Sequence, residues 1–384
     1  MKRIFTNILF IIVSVVISIL TINRMDATIG ISDGRNNLTQ LFYLFFVLLF
    51  IVVYYKKNGI CKELKTLSIL FVISTIPCLI LSSTSVDVLY GWLSITFVPL
   101  GIIVGKHFCR IWNSSSHSDT ILLIILIPAI VGSIWIVIMS KSFDIFSLGR
   151  DYIFSVVIFL PIVYFLRSPY LKCGLLFLIL YVVVLSTKRT ALIAVCCASL
   201  IYIVTNVQQV RRMNIKSFFS ITLISLCLVF AIQSVFSGSA KEALDTTFER
   251  MSNMDDKSNE ERGDIYTKVL SKIEESSFIS VLFGHGYNGV TKDIFGHPAH
   301  NDYLEITYDY GLITVSIYIV MFLKFLNLYR RKNIKLRENP HIAITFLTIL
   351  VLNTANCFIT NATYVYTCMF CMGWALEYTQ LKKI

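Results

Sequence analysis

Ile121-Leu-Leu-Ile-Ile-Leu-Ile-Pro-Ala-Ile-Val-Gly-Ser-Ile-Trp-Ile-Val-Ile-Met139 carries no charged residue and does not alternate apolar with polar positions. A helix crossing the hydrocarbon core of a bilayer needs about 20 mostly apolar residues. The stretch fits that length, and Ile4–Ile22 repeats it near the amino terminus. In lipid only helices and closed barrels satisfy their own backbone groups, and a continuous apolar run selects the helix. The rest of the chain agrees: of 384 residues 56% are hydrophobic and 15% charged, with a mean hydropathy of +0.73. A soluble domain would carry about a quarter charged residues. A soluble enzyme, a nucleic-acid-binding factor and a secreted disulfide scaffold are therefore excluded.

Working outward from that stretch, the sequence predicts an all-α, polytopic membrane protein of about 12 transmembrane helices. The spans fall at 4–22, 39–55, 66–83, 90–105, 120–139, 152–166, 173–187, 190–206, 217–236, 310–328, 341–360 and 363–379. Residues 1–384 read as one integral membrane domain, with a large outward loop at 237–309. The net charge of +11 is explained by location rather than by nucleic acid. Basic clusters such as Lys56-Lys57, Arg211-Arg212, Arg330-Arg331-Lys332 and Lys382-Lys383 collect on one side. The short loops opposite hold Arg24, Arg35, Lys141, Arg150, Lys188 and Arg189. By the positive-inside rule both termini are cytoplasmic. Asn23-Arg24-Met25-Asp26 is no small-residue cleavage site, so the first span reads as a retained helix. None of the ten cysteines lies in the long outward loop, which argues against disulfides. Cys368-Met-Phe-Cys371 has no second pair to complete a metal site.

The loop at 237–309 is the polar mass of the protein, and a loop this long is a usual seat of function. Within it Ile265, Val269, Ile273 and Phe278 recur at helical spacing, with Lys268, Lys272, Glu274 and Glu275 between them. That spacing predicts an amphipathic helix over Asp264–Phe278. Phe283-Gly-His-Gly-Tyr287 and Gly296-His-Pro298 follow as turn-forming punctuation.

The loop ends Gly296-His-Pro-Ala-His300-Asn-Asp-Tyr-Leu-Glu305, and Gly311 is expected to open the next span. His300 then stands at the outer membrane–water boundary, just before a helix. An imidazole titrates near neutral pH and can accept a proton from an attacking hydroxyl. Ser186-Thr-Lys188-Arg189-Thr190 forms a polar wedge between two apolar runs, which a tight outward hairpin would place at the same boundary. A boundary arginine is costly unless paired or functional. Arg250 and Arg262 lie in the long loop, and guanidinium groups bind phosphate bidentately. Outward arginines beside a general base suit an anionic group carried on a lipid. No nucleotide-binding loop is present, so the activation must reside in the donor.

At these residues the sequence resembles the O-antigen polymerase (Wzy) and O-antigen ligase (WaaL) superfamily of bacterial envelope enzymes. His300-Asn301 followed by Gly311 and Thr314 is similar to the family's histidine signature. Ser186–Leu192 resembles its arginine-bearing outward turn. Glu261-Arg-Gly-Asp-Ile-Tyr266 with Phe283-Gly-His-Gly286 resembles its large-loop segment. The resemblance implies a metal-independent, cofactor-free glycosyltransferase of GT-C-like helical fold. It implies action on undecaprenyl-diphosphate-linked oligosaccharide at the periplasmic face of the bacterial inner membrane. Carried over, His300 is the base for the acceptor hydroxyl. Arg189 and Arg262 hold the donor pyrophosphate, with Arg250 and Lys188 as helpers. His285 and His297 have no counterpart and read as loop structure. A chain-length regulator is a partner by the same resemblance. The motifs suit both polymerase and ligase; the unmatched amino-terminal half favours polymerase.

The competing class is a lipid-oligosaccharide flippase. Such a transporter would set charged residues within its spans, where Lys324 is the only lysine or arginine expected. Asn353 and Asn356 read as hydrogen-bonding contacts between helices.

Overall fold

The computed structural model describes residues 69–81, 98, 101–110, 112–113, 119–120, 122–123, 126, 130–131, 153–186, 188–205, 257–295, 299–331, 340–355 and 362–381. The expected spans 4–22, 39–55 and 217–236, together with Arg250, Asn356 and His297, lie outside the described residues. Among the described residues every regular element is helical. In chain order these are α1 (Ile76–Leu81), α2 (Ile153–Val157), α3 (Leu160–Phe165), α4 (Pro169–Leu185) and α5 (Arg189–Thr205). They continue with α6 (Lys257–Glu275), α7 (Phe278–Phe283), a π turn (Thr291–Phe295), α8 (Asp302–Arg331), α9 (Pro340–Ala355) and α10 (Ala362–Leu381). The chain divides into two compact units. One comprises 1–50, 108–253 and 336–348, the other 51–107, 254–335 and 349–384.

In the first unit the expected single span at 152–166 is two short helices. Pro161 is the reason: lacking an N–H, it cannot continue the ladder from α2 and instead sits in the first turn of α3. Arg167 and Ser168 then turn the chain, their backbone N–H groups donating to the Asp119 carboxylate at 2.7 and 2.8 Å. Ser168 caps α4 by accepting from Leu171 N at 3.4 Å, with Pro169 in the first turn. Lys172, which falls just before the expected span 173–187, lies inside α4. It is buried, and its Nζ donates to the Tyr202 hydroxyl on α5 at 2.8 Å. The Tyr202 ring beneath the ammonium satisfies a charge that burial would otherwise penalise.

In the second unit the helical residues 101–107 cross α10 with no side chain between the two backbones. A Cβ on Gly105 would strike Phe370 O, and one on Gly373 would strike Ile102 O. Small residues at such a crossing are what close helix packing in a membrane requires. Lys106 pairs with Glu377 of α10 at 3.5 Å, both buried. Lys324 is therefore not the only basic residue within a helix, because Lys106 and Lys172 are buried in helices as well. That removes one of the grounds used against a transporter.

Among the described residues one helix, Asp302–Asn327, is long and apolar enough to cross a membrane. Shorter apolar helices occur at Ile69–Cys78, Pro169–Val184, Thr190–Tyr202 and His341–Thr354. On α8 the exposed side chains Leu312, Ile319 and Leu323 repeat at intervals of seven and four residues. They form one apolar stripe, as a helix facing lipid presents. Gly311 was expected to open this helix. Instead the helix starts nine residues earlier, at Asp302, and Gly311 is a kink within it (φ 83°, ψ 169°).

Candidate functional site

The site belongs to the second unit and is assembled on the first three turns of α8. The helix begins where it does because Asn301 caps it: its Oδ1 accepts the N–H groups of Tyr303 at 3.0 Å and Leu304 at 3.2 Å. Asparagine is among the best residues for that duty, since it satisfies donors that the first turn leaves over. Asp302 and Glu305 add negative charge at the positive end of the helix dipole. The residue before the cap must reverse the chain, and His300 does so with φ 55°. Left-handed backbone is uncommon outside glycine, though histidine tolerates it better than most residues. Glu305 closes the turn from the other side, its Oε2 accepting Ala299 N at 2.8 Å. The pairing of His300 with Asn301 thus has a local cause. The histidine is held half-buried in a reversed turn against a capped helix end.

The polar loop packs onto this turn. Ile265 and Val269 of α6 are buried with Val290, Ala299 and Tyr308, and Tyr266 and Ile273 flank them. The amphipathic reading of Ile265, Val269 and Ile273 therefore stands, but Phe278 does not belong to that face. Helix α6 ends at Glu275, and Ser277 caps a separate helix, α7, by accepting Ser280 N at 3.2 Å. Phe278 opens that helix at 76% exposure. At the end of α6 the Glu275 carboxyl is held below its ordinary range by the Lys272 hydrogen bond at 3.0 Å. That pair is solvent-exposed and contributes little to stability.

Two glycines let α7 reach α8. Gly284 (φ 88°, ψ 178°) ends α7, and Gly311 kinks α8. A Cβ on Gly284 would strike Asp309 O, and one on Gly311 would strike Leu282 O. With the backbones in contact, His285 N donates to Tyr308 O at 3.0 Å and Gly286 N to Asp309 O at 3.1 Å. The Asp309 side chain then gathers the turn that follows, accepting Asn288 N at 2.8 Å and Val290 N at 3.0 Å. His285 packs within the loop: its ring stacks on Tyr308 at 4.1 Å between centroids. Its nitrogens bond Tyr308 O at 3.1 Å and Ser276 Oγ at 2.8 Å. Thr314 ties the next turn of α8 to Ser74, its hydroxyl donating to Ser74 O at 3.2 Å.

Asp309 is fully buried, so replacing it with alanine leaves two backbone donors without an acceptor. Each such donor costs about 1–3 kcal/mol. Asp309→Ala is accordingly expected to lower the thermal unfolding midpoint of detergent-purified protein sharply, with Asp309→Asn losing less. An unchanged midpoint would show that the turn is held by other means.

The structure brings α6 to His300 directly. The Tyr266 hydroxyl lies 3.5 Å from His300 O, at the long end of a hydrogen bond. Arg262 is four residues earlier on α6, about one helical turn away along the backbone. Arg189 and Lys188 belong to the first unit. Arg189 is the first residue of α5, and Lys188 precedes it, half-buried. Ser186 is the buried pivot of that turn, donating to Val183 O at 2.7 Å and accepting Lys188 N at 3.4 Å. The sequence did not single out Tyr266 or Asp309. Tyr266 stands in the quoted Arg262 segment, but nothing local says that its hydroxyl points to a turn 34 residues on.

Residues 174–319 match the family model of O-antigen ligase, Wzy_C. That stretch is similar to the O-antigen polymerase and ligase superfamily. The Wzy_C segment begins in α4, ends in α8, and takes in Arg189, Arg262 and His300 as well as both glycines of the α7–α8 contact. Proteins of this family are membrane proteins with glycosyltransferase-like activity on lipid-linked glycans. No curated protein matches the chain.

Proposed function

We propose that the protein is an O-antigen polymerase. It would join undecaprenyl-diphosphate-linked oligosaccharide repeat units at the periplasmic face of the bacterial inner membrane, in a polytopic GT-C-like fold with both termini cytoplasmic. The observation that carries the reading is that the Wzy_C match encloses His300, on its reversed and capped turn, together with the helix that bears Arg262. In this reading a ring nitrogen of His300 takes the proton of an acceptor sugar hydroxyl. The hydroxyl oxygen attacks the anomeric carbon of the donor. The bond from that carbon to the diphosphate breaks, and undecaprenyl diphosphate leaves with the electron pair. Arg189 and Arg262, helped by Arg250 and Lys188, hold the diphosphate and stabilise its growing charge. Neither a metal nor a cofactor takes part, and a chain-length regulator is the expected protein partner.

The family description itself favours a second reading, an O-antigen ligase that transfers the finished glycan to lipid A-core. A lipopolysaccharide gel from a strain lacking the gene separates the two. Lipid A-core bearing a single repeat unit means that ligation survives and polymerisation is lost. Bare core, with polymer stranded on undecaprenyl diphosphate, makes the protein the ligase.

Arg262→Lys keeps the charge and loses the planar fork. It is expected to cut the polymerisation rate about 10- to 100-fold, the loss of one charge-assisted hydrogen bond. A rate equal to wild type would mean that positive charge alone suffices at this position.

A further inference from the structure

Asn353 of α9 is buried at 1% exposure, as are Asp302 at 1% and Tyr318 at 2%. In the amide orientation that satisfies every neighbour, its Nδ2 donates to Asp302 Oδ2 at 3.0 Å and to Ile349 O at 3.2 Å. Its Oδ1 accepts the Tyr318 hydroxyl at 2.8 Å. One amide therefore fixes the first residue of α8 and a residue four turns further along it to the same point on α9. A buried amide with its bonds made is a rigid joint, and with its partners removed each polar group left behind is costly. Asp302 is two residues from His300, and the turn between them is already fixed internally by the Asn301 cap and the bond from Ala299 N to Glu305. Where that turn as a whole sits is set by its packing against α6 on one side and by the bond from Asp302 to Asn353 on the other.

We propose that Asn353 is a positioning residue for His300, acting through Asp302 to hold the amino end of α8 in register with α9. The inference rests on the reading of His300 as the base. Asn353 is buried and its bonds are made within the protein, so its loss lowers kcat and leaves KM for the lipid-linked donor unchanged. A displacement of about 1 Å at a reacting group costs on the order of 100-fold in rate.

The test exchanges the two groups. Purified full-length protein in detergent is assayed with undecaprenyl-diphosphate oligosaccharide as Asn353→Asp, Asp302→Asn and the double variant, with Asn353→Leu as the apolar control. Asn353→Asp is expected to lose on the order of 10- to 100-fold in kcat, because two carboxylates then face each other, whereas Asp302→Asn keeps an amide oxygen that accepts from Asn353 Nδ2 and loses less. The double variant restores one carboxylate and one amide across the contact and is expected to recover at least tenfold over the worse single variant. Recovery falls short of wild type because Ile349 O meets a carboxylate where it met an N–H. A wild-type kcat for Asn353→Leu overturns the proposal. So does a double variant no faster than the worse single one, since the effect then belongs to the residues and not to their bond. His300→Ala run alongside separates the two readings: activity in that variant overturns the base assignment whatever the exchange shows.

Discussion

His300→Ala is expected to abolish polymer while leaving folded protein in the membrane. General base catalysis by a positioned side chain is worth on the order of 10²- to 10⁴-fold, and the bonds that shape the turn around His300 come from its neighbours. The turn is made by main-chain and neighbouring groups: Asn301 caps α8, Glu305 binds Ala299 N, and the Tyr266 hydroxyl approaches the carbonyl of His300 rather than its imidazole. Alanine is less at ease than histidine at φ 55°, so a second variant guards the conclusion. His300→Asn keeps a residue that tolerates left-handed backbone and offers no comparable base at neutral pH. Both variants are expected to fail alike on the lipopolysaccharide gel and to match wild type in amount and detergent elution. Normal polymer from either one removes His300 from the chemistry. Failure of the alanine variant alone, with activity in the asparagine variant, would assign the loss to the backbone instead.

How much of this was legible depends on the range of the interaction involved. The bonds that start the helix after His300-Asn301 span no more than six residues, yet the sequence was read for hydropathy there and not for its cap. The face of α6 was readable from Ile265, Val269 and Ile273, because a period of 3.6 is written along the chain. Phe278 was misassigned for the complementary reason. It falls near the right phase, but Ser277 supplies a cap that restarts the helix, and a local hydrogen bond overrides the periodicity. Hydropathy placed the start of α8 at Gly311 because polar residues precede it. Asp302, Glu305 and Asp309 are in fact buried in a helix, and a hydropathy scale cannot see the donors that make them tolerable there. Lys106 and Lys172 were assigned to loops on the same basis, and a buried glutamate and a tyrosine hydroxyl hold them inside. The link from Tyr266 to His300 is a tertiary contact with no local trace, whereas Asn353 was readable as a hydrogen-bonding contact between helices and only its partners, Asp302 and Tyr318, were not.

The glycine contact between α7 and α8 is where a small covalent change is expected to do the most structural harm. Gly311 sits at φ 83°, ψ 169°, a region that side-chain-bearing residues enter at a cost of about 1–3 kcal/mol. Strain is the smaller part of the effect. A Cβ at this position meets Leu282 O and Gly284 N, which are backbone atoms and cannot swing aside as a flexible side chain would. Helix α7 must then move away from α8, and what depends on their contact goes with it. His285 N and Gly286 N lose the Tyr308 and Asp309 carbonyls. The Asp309 carboxylate no longer meets Asn288 N and Val290 N, and Val290 leaves the cluster that seats α6. Gly311→Ala is therefore expected to cost several kcal/mol, strain and lost bonds together, and Gly311→Val more. Because α6 carries both Tyr266 and Arg262, the same substitution should also stop polymer formation, though Gly311 touches no substrate. Limited proteolysis of detergent-purified protein distinguishes this from general unfolding. Cleavage should appear within 257–295 while α9 and α10 remain protected. A Gly311→Ala protein with wild-type polymer and an uncut loop would mean that α7 is not held by this contact.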